Sequence, residues 1–133
     1  MPLDHLQLYE RGRFWVPQRL SDLSRLLINM ISGAPFMADA SGYIPYQNIH
    51  SRFFELEEGL GNVRIAIGDA DYTSLMDLSA RAKTLFLDAP DREAKECVAG
   101  LDLLTKIYNA VETTRERRST GYLLDEDGEV TGD

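Results

Sequence analysis

The sequence contains one cysteine, one tryptophan and two histidines among its 133 residues. A lone cysteine, Cys97, cannot close an internal disulfide, which suits a reducing compartment, and we predict a cytoplasmic protein. No apolar run approaches the roughly 20 residues that span a bilayer. The start, MPLDHLQLYERGRFW, lacks a basic region followed by an apolar stretch, so we expect no signal peptide. The 44% hydrophobic content is enough for one domain to bury its own core.

Basic residues are scarce, and the net charge is −8. Residues 1–33 carry a net charge of +1 and residues 34–118 a net charge of −4, whereas the last fifteen residues hold five acids and no base. Such a balance argues against binding to the phosphate backbone of nucleic acid and against an anionic membrane surface. It favours solubility, and a basic protein partner if there is one.

Apolar residues recur at intervals of three and four along most of the chain, the spacing of one helix face. This pattern predicts main helices over residues 17–32, 45–67, 71–87 and 90–118, preceded by a short helix over residues 2–11. Short loops between successive helices make them antiparallel neighbours. We therefore predict an all-α fold, an up-and-down antiparallel bundle of about four main helices. The predicted domain covers residues 1–118, and residues 119–133 form an acidic tail that could fold into a small hairpin.

The predicted inner faces are regular in three of these helices. In the first they include Leu20, Leu23, Leu27, Met30 and Ile31, widened by Leu26 and Ile28; in the third Leu75, Leu78, Ala82, Leu85 and Phe86; and in the fourth Ala94, Cys97, Leu101, Leu104, Tyr108 and Val111. We expect the fourth helix to begin near Pro90 with Asp88 as its N-cap.

The second helix carries the longest seam, but two glycines interrupt it. The seam consists of Tyr46, Ile49, Phe53, Leu56, Leu60, Val63 and Ile67. Gly59 and Gly61 each cost about 1 kcal/mol relative to alanine inside a helix. The alternative is a helix that ends at Gly59, followed by a short strand, NVRIAI. Because the seam stays in phase across the glycines, we favour one bent helix. Glu55, Glu57 and Glu58 are predicted to be a solvated face around Leu56.

The segment IAIGDADYTSL, residues 65–75, places two carboxylates behind a glycine and resembles a small site. Between two in-phase seams the same residues have a structural role. Gly68 can take the positive φ angle that ends a helix, and Asp69 or Asp71 can cap the next one. We predict a turn here.

No constellation of catalytic or metal-binding residues is present. The bundle motif Glu-x-x-His is missing, because Pro2 and Gln47 lie three residues before His5 and His50. The tail DEDGEVTGD lacks the ligand order of a calcium loop. Cys97 is on a predicted inner face and behaves as a small hydrophobe. We predict no metal, no cofactor and no catalytic residue.

Two irregular segments are rich in aromatic residues and arginine, which are enriched at the energetic centres of protein interfaces. The partner-binding candidates are Arg11, Arg13, Trp15, Phe36, Met37, Tyr43 and Tyr46. The alternative structural explanation is that these side chains close the core over the ends of the helices.

Two functions fit these features. The first is a small acidic, non-enzymatic protein-binding module, such as an adaptor, an inhibitor or immunity protein, or a chaperone-like factor. The second is a ligand-binding or enzymatic bundle with a pocket under the loop of residues 33–46, to which Asp39, Tyr43, Tyr46 and His50 would contribute polar groups. Self-assembly through the seam of the second helix also stays open.

Overall fold

The computed structural model describes residues 15–38 and 47–120. These residues form five helices that pack together and no strand, which confirms the all-helical prediction for this part of the chain. The helices are α1 (Leu20–Gly33), α2 (Ile49–Asn62), α3 (Arg64–Ile67), α4 (Asp69–Asp88) and α5 (Lys95–Thr120). The predicted helix over residues 2–11 and the predicted hairpin of the tail lie outside the described residues. None of the described helices is long and apolar enough to cross a membrane.

The long helices pack in a closed circuit in which α1 and α4 each contact both α2 and α5. At one contact, the Asn62 side chain at the end of α2 donates to the Pro17 carbonyl ahead of α1 at 2.8 Å. At another, the rings of Phe53 in α2 and Phe86 near the end of α4 are tilted against each other, with centroids 6.2 Å apart. At the first contact the chain just before α1 lies beside the last turn of α2, and at the second the first turns of α2 lie beside the last turn of α4.

The core lies between these helices and contains most of the predicted inner-face residues. The buried members are Leu20, Leu23, Leu26, Leu27, Met30, Leu75, Ala82, Phe86, Cys97, Leu104 and Val111. Leu103 and Ile107 of α5 are also buried, although the sequence pattern did not include them. The prediction that Ile28 widens the core face is wrong, because its side chain is 50% exposed. Ile28 instead borders a polar groove between α1 and α5.

The predicted seam of the second helix is buried throughout its described length, from Ile49 to Ile67. The prediction of one continuous helix is corrected, because α2 ends at Asn62 and α3 begins at Arg64. Val63 lies between them with φ −109° and ψ 16°, while its N–H still bonds to the Gly59 and Leu60 carbonyls. The glycines lie in the last turn of α2, where the helix is weakest. The strand alternative is wrong, since Arg64–Ile67 is helical.

The start of α1 differs from the prediction. Pro17 lies before the helix, and Arg19 is extended at the N-cap position, with φ −126° and ψ 162°. Pro17 packs on α2 at Gly59, and its carbonyl is bonded to Asn62. These contacts hold the segment outside the helix that the proline was predicted to begin.

The start of α5 is also five residues later than predicted. Asp88 is the last residue of α4, and Ala89 is extended, as expected for a residue that precedes a proline. The chain then turns, and Arg92 of this turn donates from Nη1 to the carbonyls of Ile31, Ser32 and Ala34 at 3.0, 3.3 and 3.0 Å. These are carbonyls at the end of α1 that lack partners within the helix. The turn that was predicted to begin the fourth helix therefore caps the end of α1 instead.

The IAIGDADYTSL segment contains the junction between two helices, which is the single residue Gly68, but its acids do not act as predicted. Gly68 has φ +98°, and its N–H bonds to the Arg64 carbonyl at 2.8 Å, closing α3. The prediction of an aspartate N-cap is wrong, because Gly68 itself is the N-cap and no side chain caps α4. Asp69 and Asp71 lie in the first turn, where negative charge favours the helix dipole. Asp69 also accepts a bond from Arg64 Nε at 2.8 Å.

Candidate functional site

The start of α2 is fixed by reciprocal capping. The Ser51 N–H donates to Asn48 Oδ1 at 3.0 Å, and the Asn48 N–H donates to Ser51 Oγ at 2.9 Å. This capping box satisfies N–H groups that have no partner within the helix. It also sets the direction in which the next side chains of α2 leave the backbone.

A buried ion pair follows the cap. Arg52 Nη1 donates to Glu55 Oε1 at 3.0 Å, and both side chains are largely shielded from water. The other terminal nitrogen of Arg52 donates to Gln47 Oε1, ahead of α2. Glu55 also accepts a hydrogen bond from the backbone of Trp15. This network connects the chain before α1 to the chain before α2, the two regions that adjoin the aromatic segments.

Glu55 was predicted to be part of a solvated face, and this prediction is wrong. The residue is only 6% exposed. Burial raises the pKa of its carboxyl above the ordinary value of 4.5, and the charge and hydrogen bond of Arg52 and the bond from Trp15 counteract part of that rise. The sequence offered a signal, because Arg52 lies one helical turn before Glu55 and Glu55 adjoins the seam residue Leu56.

Replacement of Glu55 by glutamine should change how stability depends on pH. The folded state holds the Glu55 proton more tightly than the unfolded state does, because the pKa is raised on folding. The contribution of Glu55 to the free energy of unfolding therefore falls as the pH rises from 4.5 through the pKa of the folded state. Denaturant titrations across this range should show Glu55→Gln gaining stability relative to the unmodified protein as the pH rises.

The control for this comparison is Glu58→Gln, which removes the same charge from an exposed position on α2. The same relative gain in both variants would show that burial of Glu55 is not the cause.

The described sequence candidates divide into exposed and buried side chains. Trp15 is 48% exposed and Phe36 59% exposed, so both present apolar rings to solvent. Met37 is buried in the core cluster, where it fits the alternative of a side chain that closes the core. His50 is exposed on the first turn of α2. Arg11, Arg13, Asp39, Tyr43 and Tyr46 lie outside the described residues.

A pocket of about 360 Å³ lies between the end of α1 and the start of α2, open to solvent. Its lining includes Asn29, Ser32, Met37, Gln47 and Arg52. The pocket thus shares Gln47 and Arg52 with the buried network, and Gly33, Met37 and Ala38, which were predicted to belong to the loop of residues 33–46, also line it. His50, the described residue among the pocket candidates, is not in its lining.

Cys97, a nucleophile in other settings, is buried in the core, and burial raises the pKa of its thiol and so disfavours the reactive thiolate. Within residues 15–38 and 47–120, no three histidine, cysteine or acidic side chains are grouped so that they could hold a metal ion. We use the name α2 surface for two exposed side chains, Trp15 and Phe36, together with the largely buried network of Gln47, Arg52 and Glu55 at the start of α2.

Comparison with known proteins assigns no family, since no protein-family model, no curated protein and no solved structure matches this chain.

Proposed function

We propose that the protein is a small, acidic, non-enzymatic binding module that acts through contacts with another protein, as an adaptor, an inhibitor or immunity protein, or a chaperone-like factor. The scaffold of this proposal is an up-and-down antiparallel bundle of the four longer helices in the cytoplasm, with an acidic tail after residue 118. The start-to-end contacts between neighbouring helices support that topology.

The exposure of Trp15 and Phe36 is the observation that carries the proposal. Large aromatic side chains bury much apolar area at low entropic cost, which is why tryptophan and tyrosine dominate interface hot spots. Trp15 is anchored through its backbone to Glu55, and Phe36 precedes the buried Met37. The backbone that carries each exposed ring is therefore held in place, at Trp15 itself and next to Phe36. Less conformational entropy is then lost when a partner binds.

The charge of −8 supports a partner with a basic surface. Opposite charges accelerate the encounter of two proteins, and salt screens that attraction. Because the protein is acidic, we propose neither a nucleic acid nor a membrane as its partner.

The proposal predicts that alanine at Trp15 or at Phe36 weakens binding of a partner by about tenfold or more, as at interface hot spots. The partner is first recovered by affinity purification from the native host, and its binding to each variant is then measured by calorimetry at several salt concentrations. The association rate, measured separately by stopped-flow mixing, should fall as the salt concentration rises.

A matched control is Ile65→Ala, because Ile65 is 87% exposed on α3, away from the α2 surface. The proposal fails if both aromatic variants bind as the unmodified protein does, or if no partner is recovered.

A small-molecule function is the second candidate, and the pocket between α1 and α2 is the observation that favours it. Native mass spectrometry of the protein from its own host separates the two. An added mass of protein size supports the binding module, a second copy of the chain indicates self-assembly, and an added mass of a few hundred daltons supports a ligand.

A further inference from the structure

A second surface, whose lining includes none of the α2 surface residues, lies between α1 and α5. The groove there has a volume of about 560 Å³ and is open to solvent. Its lining includes Arg19, Ser21, Ser24 and Arg25 from α1 and the turn before it, and Glu112 and Arg115 from α5. The groove thus gathers three guanidinium groups and three hydroxyl groups, counting that of Tyr108, and all of these can donate hydrogen bonds.

This concentration of positive charge is unusual in so acidic a chain. Arg19 pairs with Asp22 at 3.4 Å, and Arg115 pairs with Glu112 at 2.8 Å. Arg25 is exposed and has no ion pair with any residue in the described part of the chain. Three arginines thus line the groove together with one acid, Glu112, in a chain whose net charge is −8.

The groove already holds one anionic oxygen. Glu112 Oε1 accepts a hydrogen bond from Ser24 Oγ at 2.5 Å and another from Arg115 Nη1 at 2.8 Å. The donors come from two helices, so their convergence is a product of the fold. The Glu112 side chain is 35% exposed, and an external anion would have to displace it from these donors. Its carboxylate marks where an external anion would bind.

We propose that this groove binds a phosphoryl group. A phosphoryl group offers three acceptor oxygens and a charge close to −2, more than the carboxylate that now occupies the donors. Arginine forks bind such oxygens in pairs, and serine hydroxyls can donate to the third. The group could belong to a free phosphorylated compound or to a phosphorylated side chain of a protein, because both present the same oxygens to the groove.

The proposal is tested by following backbone amide signals in nuclear magnetic resonance during two titrations at constant ionic strength. One titration uses inorganic pyrophosphate, and the other uses a glycine-rich peptide with one phosphoserine. At least one probe should shift the signals of Ser21, Ser24 and Arg25. Binding of pyrophosphate alone identifies a free compound as the ligand class, and binding of the peptide alone identifies a modified protein.

Two variants give effects of opposite sign. Arg25→Ala should weaken the affinity for the bound probe by about tenfold, since it removes a charged donor. Glu112→Gln should tighten it about threefold or more, because it removes the competing anion. Arg81→Ala is the control, as it removes one exposed arginine from α4, where it pairs with Asp77.

Arg25 is exposed, so its replacement leaves the core intact. The proposal is overturned if neither probe shifts the groove signals, or if Arg25→Ala and Arg81→Ala weaken binding equally.

Discussion

Replacement of Phe86 by alanine is expected to lower the free energy of unfolding by about 3–5 kcal/mol, the usual cost of removing a buried phenylalanine. Phe86 is almost fully buried and packs against Phe53. Its ring also covers Gly100 so closely that a Cβ there would lie 2.6 Å from Phe86 Cε1. The ring therefore fills the space where α2, α4 and α5 meet, and alanine would leave a cavity that three helices cannot easily close. Urea titration of the purified variant measures the loss.

The matched control is the next residue of the same helix. Leu87 is 53% exposed, so Leu87→Ala should change stability by about 0.5 kcal/mol or less. Equal losses in the two variants would show that Phe86 is not the side chain that joins the three helices.

Alanine substitutions at Gly59 and Gly61 are expected to shift stability in opposite directions. A Cβ at Gly59 would lie 2.9 Å from Pro17 Cβ and 2.9 Å from Leu23 Cδ2, both in buried residues. The leucine can adjust, but the proline ring is rigid and its carbonyl is bonded to Asn62. Overpacking of this kind typically costs about 1–3 kcal/mol, although the better helix propensity of alanine returns up to about 1 kcal/mol. Gly59→Ala should therefore be destabilising.

Gly61 lies two residues further along the same helix, but it faces solvent. Among the described residues, a Cβ there would have the Tyr72 hydroxyl as its one close neighbour outside the helix backbone, at 4.0 Å. Gly61→Ala should raise the free energy of unfolding by up to about 1 kcal/mol through helix propensity alone. Denaturant titration of both variants measures the two changes in the free energy of unfolding. Stabilisation by both substitutions would contradict the close contact between Pro17 and α2.

The periodicity of the sequence predicted the all-helical fold and most of the core, because helix faces are local patterns. It predicted the helix boundaries less well, because tertiary contacts decide where several of these helices begin. Pro17 is suited to begin a helix, yet it is held against Gly59, a residue far along the chain. Pro90 is equally suited, yet its turn places Arg92 over the end of α1. In both places a contact between distant segments prevails over the local preference.

The candidate sites could be predicted only in part. The exposure of Trp15 and Phe36 agrees with their assignment to irregular segments, whereas the burial of Glu55 depends on Arg52 and on the backbone of Trp15. The groove could not have been predicted from spacing, because Ser24 and Glu112 are 88 residues apart. Charge counted along the sequence showed an acidic protein with a net charge of +1 over residues 1–33, but no groove. Folding brings three of its eleven arginines to one groove.

Hydrogen–deuterium exchange with and without the recovered partner tests the central proposal, that the α2 surface is the binding surface, most directly. We predict slower exchange in the partner complex over residues 15–19, 34–38 and 47–52, which contain or adjoin Trp15, Phe36 and the buried network. Exchange in the middle of α4 should be unchanged. Protection confined to α4 and α5, with no change beside Trp15 and Phe36, would contradict the proposal.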